Sequence, residues 1–383
     1  MKEINGIYTS AKIFTTNNEI TAIDDYALAQ LQMLCNHESL ADCRLRIMPD
    51  VHPGKVGTIG LTTTIGKKLM PNLTGIDLGC GISLAKVKGK VKEFQKLDSV
   101  IRERVPSGFN TREKLHPLAS DFNFDRLHCS NHIHMERCKL SLGSLGSGNH
   151  FIELDQDADK NTYLIIHSGS RRFGKEVTEF YLDAGQKALK SNGITVPYEL
   201  TYLEGELLTS YLHDVAIVQE YAALNREIMI TEICKGMKYK ILERYDCIHN
   251  YIDTSEQVLE QFGVPLLRKG AISAQTNEKV VIPINMRDGI ILGTGLGNTE
   301  WNCSAPHGSG RILKREDVKK NYTLSHFKSA MKGIYSPSIC KETLDEAPFA
   351  YRDLADIEDA ITKTVKIDKV ITPIYNFKAG NSM

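Results

Sequence analysis

Four turns of the sequence combine glycines with side chains that can bind metal ions or phosphates. They read GIDLGCG, GSLGSGNHFIEL, LIIHSGSRRFG and CIHNYID, and they carry Asp77 and Cys80, then Asn149, His150 and Glu153, then His167 and Arg171, and finally His249 and Asn250. Glycine permits the tight backbone turns that let neighbouring side chains point into one space. Because a rigid sheet presents such turns to a cleft, we expect these side chains to face a common site.

Five of these side chains form a ligand set of oxygen, nitrogen and sulfur atoms. A single histidine beside an apolar strand is more often a structural residue than a ligand, so each one alone is weak evidence. Together, Asp77, Cys80, His150, His167 and His249 suit a divalent transition metal or a pair of them, with the thiolate able to bridge. The chain contains no C-x-x-C pair, so the spacing is not that of a zinc ribbon.

A second group of metal-ligand residue types lies in the segment LHCSNHIHMERCKL. Its members are His128, Cys129, His132, His134 and Cys138. Ligand types crowded together in sequence without a recognised spacing seldom converge on one ion. We therefore interpret this segment as a polar loop.

A fifth turn, SAPHGSGR, places His307 before Gly308, Ser309 and Gly310. Backbone N–H groups that no bulky side chain covers can hold phosphate oxygens, and Arg311 follows as a charge partner. A neutral imidazole attacks phosphorus and leaves again easily, so a histidine in this setting is a candidate nucleotidyl carrier. The alternative is a turn at the start of a helix with an incidental histidine.

The elements that must position these turns form a mixed α+β pattern. Apolar periodicity predicts β-rich stretches around residues 55–90, 145–168, 238–300 and 368–378. Helical spacing of apolar residues predicts helices from about Glu204 to Cys234, Glu176 to Ser191 and Asp353 to Val365. The chain shows no repeat, low-complexity tract or flexible linker, so we expect residues 1–383 to form a single domain.

Composition places the chain among globular proteins of ordinary character. Its 383 residues are 42% hydrophobic and 25% charged, and 47 basic residues balance 47 acidic ones. With no net charge, a nucleic acid would have to bind a local basic groove. The nine cysteines are odd in number and lack framework spacing, and no signal-peptide or membrane-spanning stretch is evident, so we expect a cytoplasmic protein with reduced thiols.

The ordered series of motifs resembles that of the RtcB family of RNA ligases. The resemblance is carried by GIDLGCG, GSLGSGNHFIE, HSGSRRFG, HN, SAPHGSGR, EAPFAYRD and Lys378, and it runs from about Met48 to Lys378. Seven motifs in the family order make chance improbable, although one short motif alone would mean little. The fold implied is an RtcB-like fold with a central β-sandwich-type core flanked by helices.

The resemblance implies a site for two Mn(II) ions and for GTP. The metal ligands would be Asp77, Cys80, His150, His167 and His249, and the guanylylated residue would be His307. The nucleotide contacts would be Asn149, His150, Phe151, Ile152, Glu153, His249, Asn250, Pro283, Ile284, Asn285, Met286, His307, Gly308, Ser309, Gly310, Tyr351 and Lys378. Contacts to RNA or its phosphates would fall on Arg171, Lys269 and Arg311.

The chain departs from the family pattern in one segment. It reads IPINMRDGI, with Ile284 and Asn285 where the family commonly has a Gly-Ser pair, and with Ile290 where a serine is common. These departures weaken the expectation of phosphate contacts there.

The activity implied is GTP-dependent joining of RNA 2′,3′-cyclic phosphate or 3′-phosphate ends to 5′-hydroxyl ends, in RNA repair or tRNA splicing. It would proceed through a histidine guanylate and an RNA 3′ end capped by a diphosphate-guanosine, and the need for an activating protein partner stays open. The chief alternative is a two-metal phosphodiesterase or nuclease that activates water with the same ligands. An RNA-binding or sensor protein without turnover is a further alternative. KIDK at residues 366–369 lacks the glycine of the K-x-D-G lysine nucleophile, which disfavours lysine adenylylation.

Overall fold

Seventeen β-strands form the sheets of the part of the chain described by a computed structural model, residues 2–15 and 23–379. They are β1 Lys2–Asn5, β2 Ser10–Ile13, β3 Leu45–Pro53, β4 Thr58–Thr64, β5 Lys68–Leu69, β6 Gly81–Lys88, β7 Phe151–Gln156, β8 Thr162–Ser168, β9 Leu203–Glu204, β10 Lys240–Ile248, β11 Asn250–Asp253, β12 Leu266–Lys269, β13 Ala271–Ser273, β14 Lys279–Asn285, β15 Gly289–Gly295, β16 Ser304–Pro306 and β17 Val365–Phe377. The described α-helices are α1 Asp25–Cys35, α2 Pro71–Thr74, α3 Phe94–Arg104, α4 Met135–Ser141, α5 Arg171–Ser191, α6 Gly205–Met237, α7 Glu256–Phe262, α8 Arg315–Asn321, α9 Leu324–Ala330 and α10 Leu354–Ala360.

Two large sheets carry the site. One has six strands in the order β1-β2-β3-β4-β12-β11, antiparallel except for the parallel pair β2 and β3. The other has seven strands in the order β10-β6-β8-β7-β17-β15-β14, all antiparallel. Small two-stranded sheets pair β13 with β16 and β5 with β9.

The seven-stranded sheet curls so that its two edge strands come close together. Lys279 of β14 forms an ion pair with Glu243 of β10, and its ammonium lies over the ring of Tyr245. Alternate residues of β8 face opposite sides: Ile165 lies in the apolar cluster shared with β14 and β15, whereas Ile166 packs in the cluster that α3 and α6 cover. Curling therefore buries both faces of the central strands.

Helix α6 is the main element that supports the curled sheet. Its 33 residues contribute Tyr211 and Val215 to one apolar cluster and Met229 and Ile233 to another. Buried residues recur on several faces of α6, as expected for a helix surrounded by sheet and helices. Within the described part of the chain, no helix is long and apolar enough to cross a membrane.

The sequence-based helix predictions are confirmed with different ends. Helix α6 continues three residues beyond Cys234, and α5 begins at Arg171 rather than Glu176. The third prediction extended too far, because α10 ends at Ala360. There the backbone N–H groups of Thr364 and Val365 both return to the carbonyl of Ile361, and β17 begins at Val365.

All four predicted β-rich stretches contain strands, and the α+β class is confirmed. Prediction missed β3 and the short strands β1, β2, β9 and β16, and the stretch 238–300 also contains helix α7. The β-sandwich arrangement and the single-domain organisation stay predictions. All nine cysteines are free thiols.

Candidate metal and nucleotide site

The predicted ligand residues lie at one end of four neighbouring strands, β10, β6, β8 and β7. Cys80 comes directly before β6, His150 directly before β7, and His249 directly after β10. The register pairs Phe151 and Ile82 with His167, so the starts of β6 and β7 and the ends of β8 and β10 lie at the same edge of the sheet. Antiparallel pairing thus brings together turns that lie far apart in sequence.

The side chains of these residues form a continuous chain of close contacts. The Sγ atom of Cys80 lies 3.5 Å from His150 Nε2 and 3.4 Å from His167 Nε2. His167 Nε2 is 3.2 Å from His249 Nε2, and His150 Nε2 is 3.0 Å from Asp77 Oδ2. The ligand atoms of Cys80, His150 and His167 all lie within 4.8 Å of one another, a spacing that one metal ion can span.

The protonation of the imidazoles suits a cation. His150 Nδ1 lies 2.9 Å from the carbonyl oxygen of Leu145, and His167 Nδ1 lies 3.2 Å from that of Asn149, so each Nδ1 carries the proton it donates. Burial, together with the neighbouring histidines, holds the pKa of His167 and His249 well below the usual range. The Nε2 lone pair of His167 therefore faces the thiol of Cys80, and a bound cation would take the place of the proton that His150 Nε2 shares with Asp77.

Asp77 reaches the cluster because of a glycine. A Cβ atom on Gly169 would lie 2.2 Å from Asp77 Oδ1, so any other residue there would displace the carboxylate. The backbone N–H of Ser170 donates to Asp77 Oδ1 at 2.9 Å. Burial would raise the pKa of Asp77, but the hydrogen bond and charge of His150 and the charge of Arg171 lower it overall, so the carboxylate is ionised.

Two buried polar residues of α6 form hydrogen bonds with the backbone of the glycine turns. The guanidinium of Arg226, which is fully buried, donates to the carbonyl oxygens of Gly79 and Ser168 at 2.7 and 3.0 Å. Asn225 accepts from the N–H groups of Gly143 and Ser144 and donates to carbonyls of the same region. Helix α6 therefore fixes the glycine turns that carry the ligands.

His307 lies beside this cluster. Its ring centroid is 4.9 Å from that of His249, and its Nδ1 is 2.6 Å from Asp50 Oδ2. Asp50 is fully buried within β3, in the irregular stretch between Ile47 and His52, a position that sequence reasoning did not single out. Gly310 has a φ of +73°, and a Cβ atom there would lie 2.4 Å from the backbone oxygen of Asp50, so glycine allows the turn to approach β3.

A cavity of about 160 Å³ opens beside His307. Predicted nucleotide contacts that line it are Asn149, Phe151, Glu153, His249, Pro283, Ile284, Asn285, Met286, His307, Gly308, Ser309, Gly310, Tyr351 and Lys378. Three other predicted nucleotide contacts do not line the cavity. His150 lies in the ligand cluster, Asn250 accepts from the N–H of Gly270 at 2.8 Å, and the side chain of Ile152 packs on the opposite face of β7 in the apolar core.

One wall of the cavity is built from charged groups around Glu346. Its carboxylate accepts from Lys378 Nζ and from the hydroxyl of Tyr351, each at 2.7 Å, and pairs with Arg311 and Arg315. Burial would raise the pKa of Glu346, but Lys378, Arg315 and Arg311 lower it overall. Sequence reasoning quoted the segment EAPFAYRD yet missed Glu346, and it missed Arg315 and His52, which also line the cavity.

Structural contacts occupy side chains of the segment IPINMRDGI, which departs from the family pattern. Asn285 Oδ1 accepts from the N–H groups of Arg287 and Asp288 and so closes the turn between β14 and β15. Ile290 is fully buried in the core, and the backbone oxygen of Ile284 accepts from Ser309 Oγ at 2.7 Å. The side chain of Asn285 is therefore occupied by the turn.

The three predicted RNA contacts have different environments. Arg171 donates to Gly108 O at 3.0 Å, and Arg311 lines the cavity. Lys269 is buried, and its Nζ donates to the carbonyl oxygens of Val56 and Asn72 at 2.6 and 2.9 Å. Burial lowers the pKa of Lys269 to about 8, and the expected RNA contact is not available from this inward position.

The histidines and cysteines of the segment LHCSNHIHMERCKL do not converge on one point. His128 stacks on His213 with ring centroids 4.5 Å apart, and His134 pairs with Glu176. His132 is exposed, whereas Cys129 and Cys138 are buried in the core. Among the described residues, the ligand atoms that do converge are those of Cys80, His150 and His167.

A mixed α+β fold that gathers sulfur and imidazole ligands beside a histidine-lined, charged cavity defines a candidate metalloenzyme. The family model for tRNA-splicing ligase RtcB matches residues 30–128 and 119–379. The chain is 29% identical over 364 residues to the RNA-splicing ligase RtcB of Escherichia coli (strain K12), covering 84% of this chain and 87% of that protein. It is 25% identical to the tRNA-splicing ligases RtcB of Nanoarchaeum equitans, over 95% of this chain and 92% of that one, and of Pyrobaculum aerophilum, over 85% of each.

The protein belongs to the RtcB family of RNA ligases. The match covers nearly all of the described chain, including every turn of the site.

Proposed function

We propose that the protein is a GTP- and Mn(II)-dependent ligase that joins RNA 2′,3′-cyclic phosphate or 3′-phosphate ends to 5′-hydroxyl ends. The observation that carries this proposal is the position of His307, with the ligand cluster on one side and the cavity on the other. Repair of cleaved RNA or splicing of tRNA is the corresponding process. The reduced thiols of a disulfide-free chain favour the cytoplasm as its location.

Two Mn(II) ions would be held by Asp77, Cys80, His150, His167 and His249. The geometry supports this set because His150 and the neutral imidazole of His167 contact the thiol, while the ionised carboxylate of Asp77 and the imidazole of His249 adjoin these two rings. When bound, such ions would neutralise phosphate charge and help orient the α-phosphate of GTP. The pKa of Cys80 is raised by burial and by Asp77, so its thiol would lose the proton on binding metal.

His307 would act as the nucleophile. Its Nδ1–H donates to the buried carboxylate of Asp50, so Nε2 carries the lone pair. In the first step Nε2 forms a bond to the α-phosphorus of GTP, and the bond to the leaving pyrophosphate breaks. Asp50 keeps the imidazole in the reactive tautomer and balances the positive charge of the histidine guanylate.

The cavity supplies groups suited to guanosine. Glu153 and Glu346 are buried carboxylates that can accept from guanine N–H groups, and Lys378 and Tyr351 lie beside Glu346. Gly308, Ser309 and Gly310 would offer backbone N–H groups close to His307. Selection of GTP over ATP would come from the carboxylate acceptors, which repel the acceptor atom N1 of adenine.

Two further displacements would complete ligation, after a cyclic phosphate end has been opened to a 3′-phosphate. An oxygen of the RNA 3′-phosphate attacks the guanylate phosphorus, and the bond to His307 Nε2 breaks. The 5′-hydroxyl oxygen then attacks the 3′-phosphate phosphorus, loses its proton and displaces GMP. Arg171 and Arg311 remain candidates for phosphate contacts at this site.

Intact-protein mass spectrometry after incubation with GTP and Mn(II) tests the proposal. The wild-type protein should gain one guanylate that acid removes, as expected for a phosphoramidate, and His307→Ala should gain none while keeping its metal content. The control His213→Ala changes an exposed histidine far from the cavity and should be guanylylated normally. An unmodified wild-type protein that cleaves phosphodiesters would favour the two-metal phosphodiesterase.

A further inference from the structure

Phe109 is the most exposed of the large apolar side chains described, with 80% of its surface accessible. Single exposed apolar residues are common on protein surfaces, so exposure alone indicates nothing. Its place in the fold is what makes Phe109 unusual. It lies in the segment SGFN, residues 107–110, between α3 and α4.

The loop that carries Phe109 is held rigidly. The N–H of Gly108 donates to Gly146 O at 2.9 Å, and the N–H of Asn110 donates to Ser107 O at 3.2 Å. Arg112, at the far end of the loop, donates to the carbonyl oxygens of Leu142 and Gly143 at 3.0 and 3.1 Å. The exposed ring is therefore presented from a fixed backbone, which lowers the entropy cost of binding a partner.

These anchors connect Phe109 to the candidate site. Gly146 belongs to the turn that carries Asn149 and His150, and Arg171 donates to the carbonyl oxygen of Gly108 at 3.0 Å. Arg171 follows Ser170, whose N–H binds Asp77, and its φ of +57° is rare for a residue with a side chain. Backbone strain of this kind is typical of functional positions.

Two arginines bind the backbone at Phe109 and at the residue before it. The carbonyl oxygen of Phe109 accepts from Arg137 at 3.3 Å, and the neighbouring carbonyl oxygen of Gly108 accepts from Arg171. Apolar protein partners prefer contiguous apolar surface, whereas an exposed aromatic ring on a loop that binds two arginines suits a nucleobase with flanking phosphates. The exposed ring and the two arginines bound to its loop together favour single-stranded nucleic acid.

We propose that Phe109 stacks on a nucleobase of the RNA substrate close to the end being joined. The inference rests on the proposed function and specifies where the RNA strand lies, on the side of the metal cluster where residues 107–110 contact Arg171. The phosphates adjoining the stacked base would lie near Arg171 and Arg137. Stacking tolerates any base, so this contact sets affinity rather than sequence preference.

Binding of a short 3′-phosphorylated single-stranded RNA, measured by fluorescence anisotropy, tests the stacking. Phe109→Ala should weaken binding about tenfold, the order of magnitude found when a stacking aromatic is removed, and Phe109→Trp should restore it. The control Tyr26→Ala removes an exposed aromatic ring from α1 and should leave RNA affinity unchanged. A series of RNAs with one abasic nucleotide at each of the terminal positions locates the contact.

An abasic nucleotide at one position should weaken binding to the wild-type protein about as much as Phe109→Ala does. Combining that RNA with Phe109→Ala should weaken binding no further than either change alone. Equal affinity of Phe109→Ala and wild type for every RNA would overturn the proposal, as would additive losses. Altered self-association of Phe109→Ala with unchanged RNA affinity would assign the ring to a protein contact instead. Self-guanylylation is measured separately, so failure of the proposed function and failure of the stacking are distinguishable.

Discussion

The partly exposed His307 pairs with the fully buried Asp50, which is 257 residues away in sequence. The carboxylate accepts the Nδ1 proton of the imidazole and leaves Nε2 free toward the cavity. Asparagine has the same shape as aspartate but can donate to Nδ1 and so favours the wrong tautomer. The role of His307 therefore depends on the charge of Asp50 rather than on its size.

Replacement of Asp50 with asparagine should slow self-guanylylation by a factor on the order of 10²–10⁴. The rate would be followed as the appearance of the guanylate adduct by intact-protein mass spectrometry. Asp157→Asn is a matched control, because Asp157 is a buried carboxylate at the opposite end of β7. A wild-type rate in Asp50→Asn would show that the pair has no role in the reaction.

Ionisation of Glu153 should make the affinity for guanosine depend on pH, and this affinity can be measured without following the ligation reaction. Burial raises the pKa of Glu153 above its usual range, although Asn376 and Lys378 act in the opposite direction. The carboxylate is therefore increasingly ionised as the pH rises through neutrality, and only the ionised form accepts two guanine N–H groups. Affinity for guanosine should rise about tenfold from pH 6 to pH 8, in proportion to the ionised fraction.

Isothermal titration of guanosine into the His307→Ala variant measures this effect free of phosphate ionisation. Glu153→Gln in that background should bind more weakly and lose the pH dependence. Adenosine, which has no N1–H, is the control ligand and should show no rise with pH. A rise with guanosine that persists in Glu153→Gln would assign the titration to another group.

At the scale of elements, the site is a set of strand ends fixed by one helix. Periodicity in the sequence predicted α6 nearly to its ends, because apolar residues recur along its length at helical spacing. Periodicity did not show that Asn225 and Arg226 face inward and bind the glycine turns. A buried charge in a helix can be recognised only when its partners are known.

Arg226→Met should lower metal affinity about 10- to 100-fold, because the turns holding Asp77 and Cys80 lose the donor that fixes them. It should also destabilise the fold by about 3–5 kcal/mol, since Gly79 O and Ser168 O are left without their donor. Arg244→Met, at a half-exposed pair with Glu227, should cost no more than about 1 kcal/mol.

Competition with a chelating dye measures the metal affinity, and denaturant titration measures the free energy of unfolding. Wild-type metal affinity in a destabilised Arg226→Met protein would show that Arg226 supports the fold without shaping the metal site.

At the scale of the whole molecule, α6 joins apolar clusters that could otherwise form separate domains. Tyr211 and Val215 lie in the cluster under the six-stranded sheet, and Met229 and Ile233 lie in the cluster outside the curled sheet. A continuous helix shared by two cores couples their unfolding. This coupling supports the single-domain prediction.

Denaturant unfolding should therefore give coincident transitions with two probes. The single tryptophan, Trp301, stacks on Phe14 at 3.9 Å between ring centroids and reports on the neighbourhood of β3 by fluorescence, while far-UV circular dichroism reports on the helices. Met229→Ala should lower the free energy of unfolding by about 2–5 kcal/mol and move both transitions together. Separate midpoints would indicate two independently unfolding domains.

The identity of the ligand-bearing turns and the long helices followed from the chain alone, because glycine turns and apolar periodicity are local properties that survive in any context. Three features required the folded arrangement: the pairing of Asp50 with His307, the charged wall around Glu346, and the inward direction of Lys269. Each depends on which distant strand becomes a neighbour and which face of a strand is covered. Those contacts are set by long-range packing, which no window of neighbouring residues encodes.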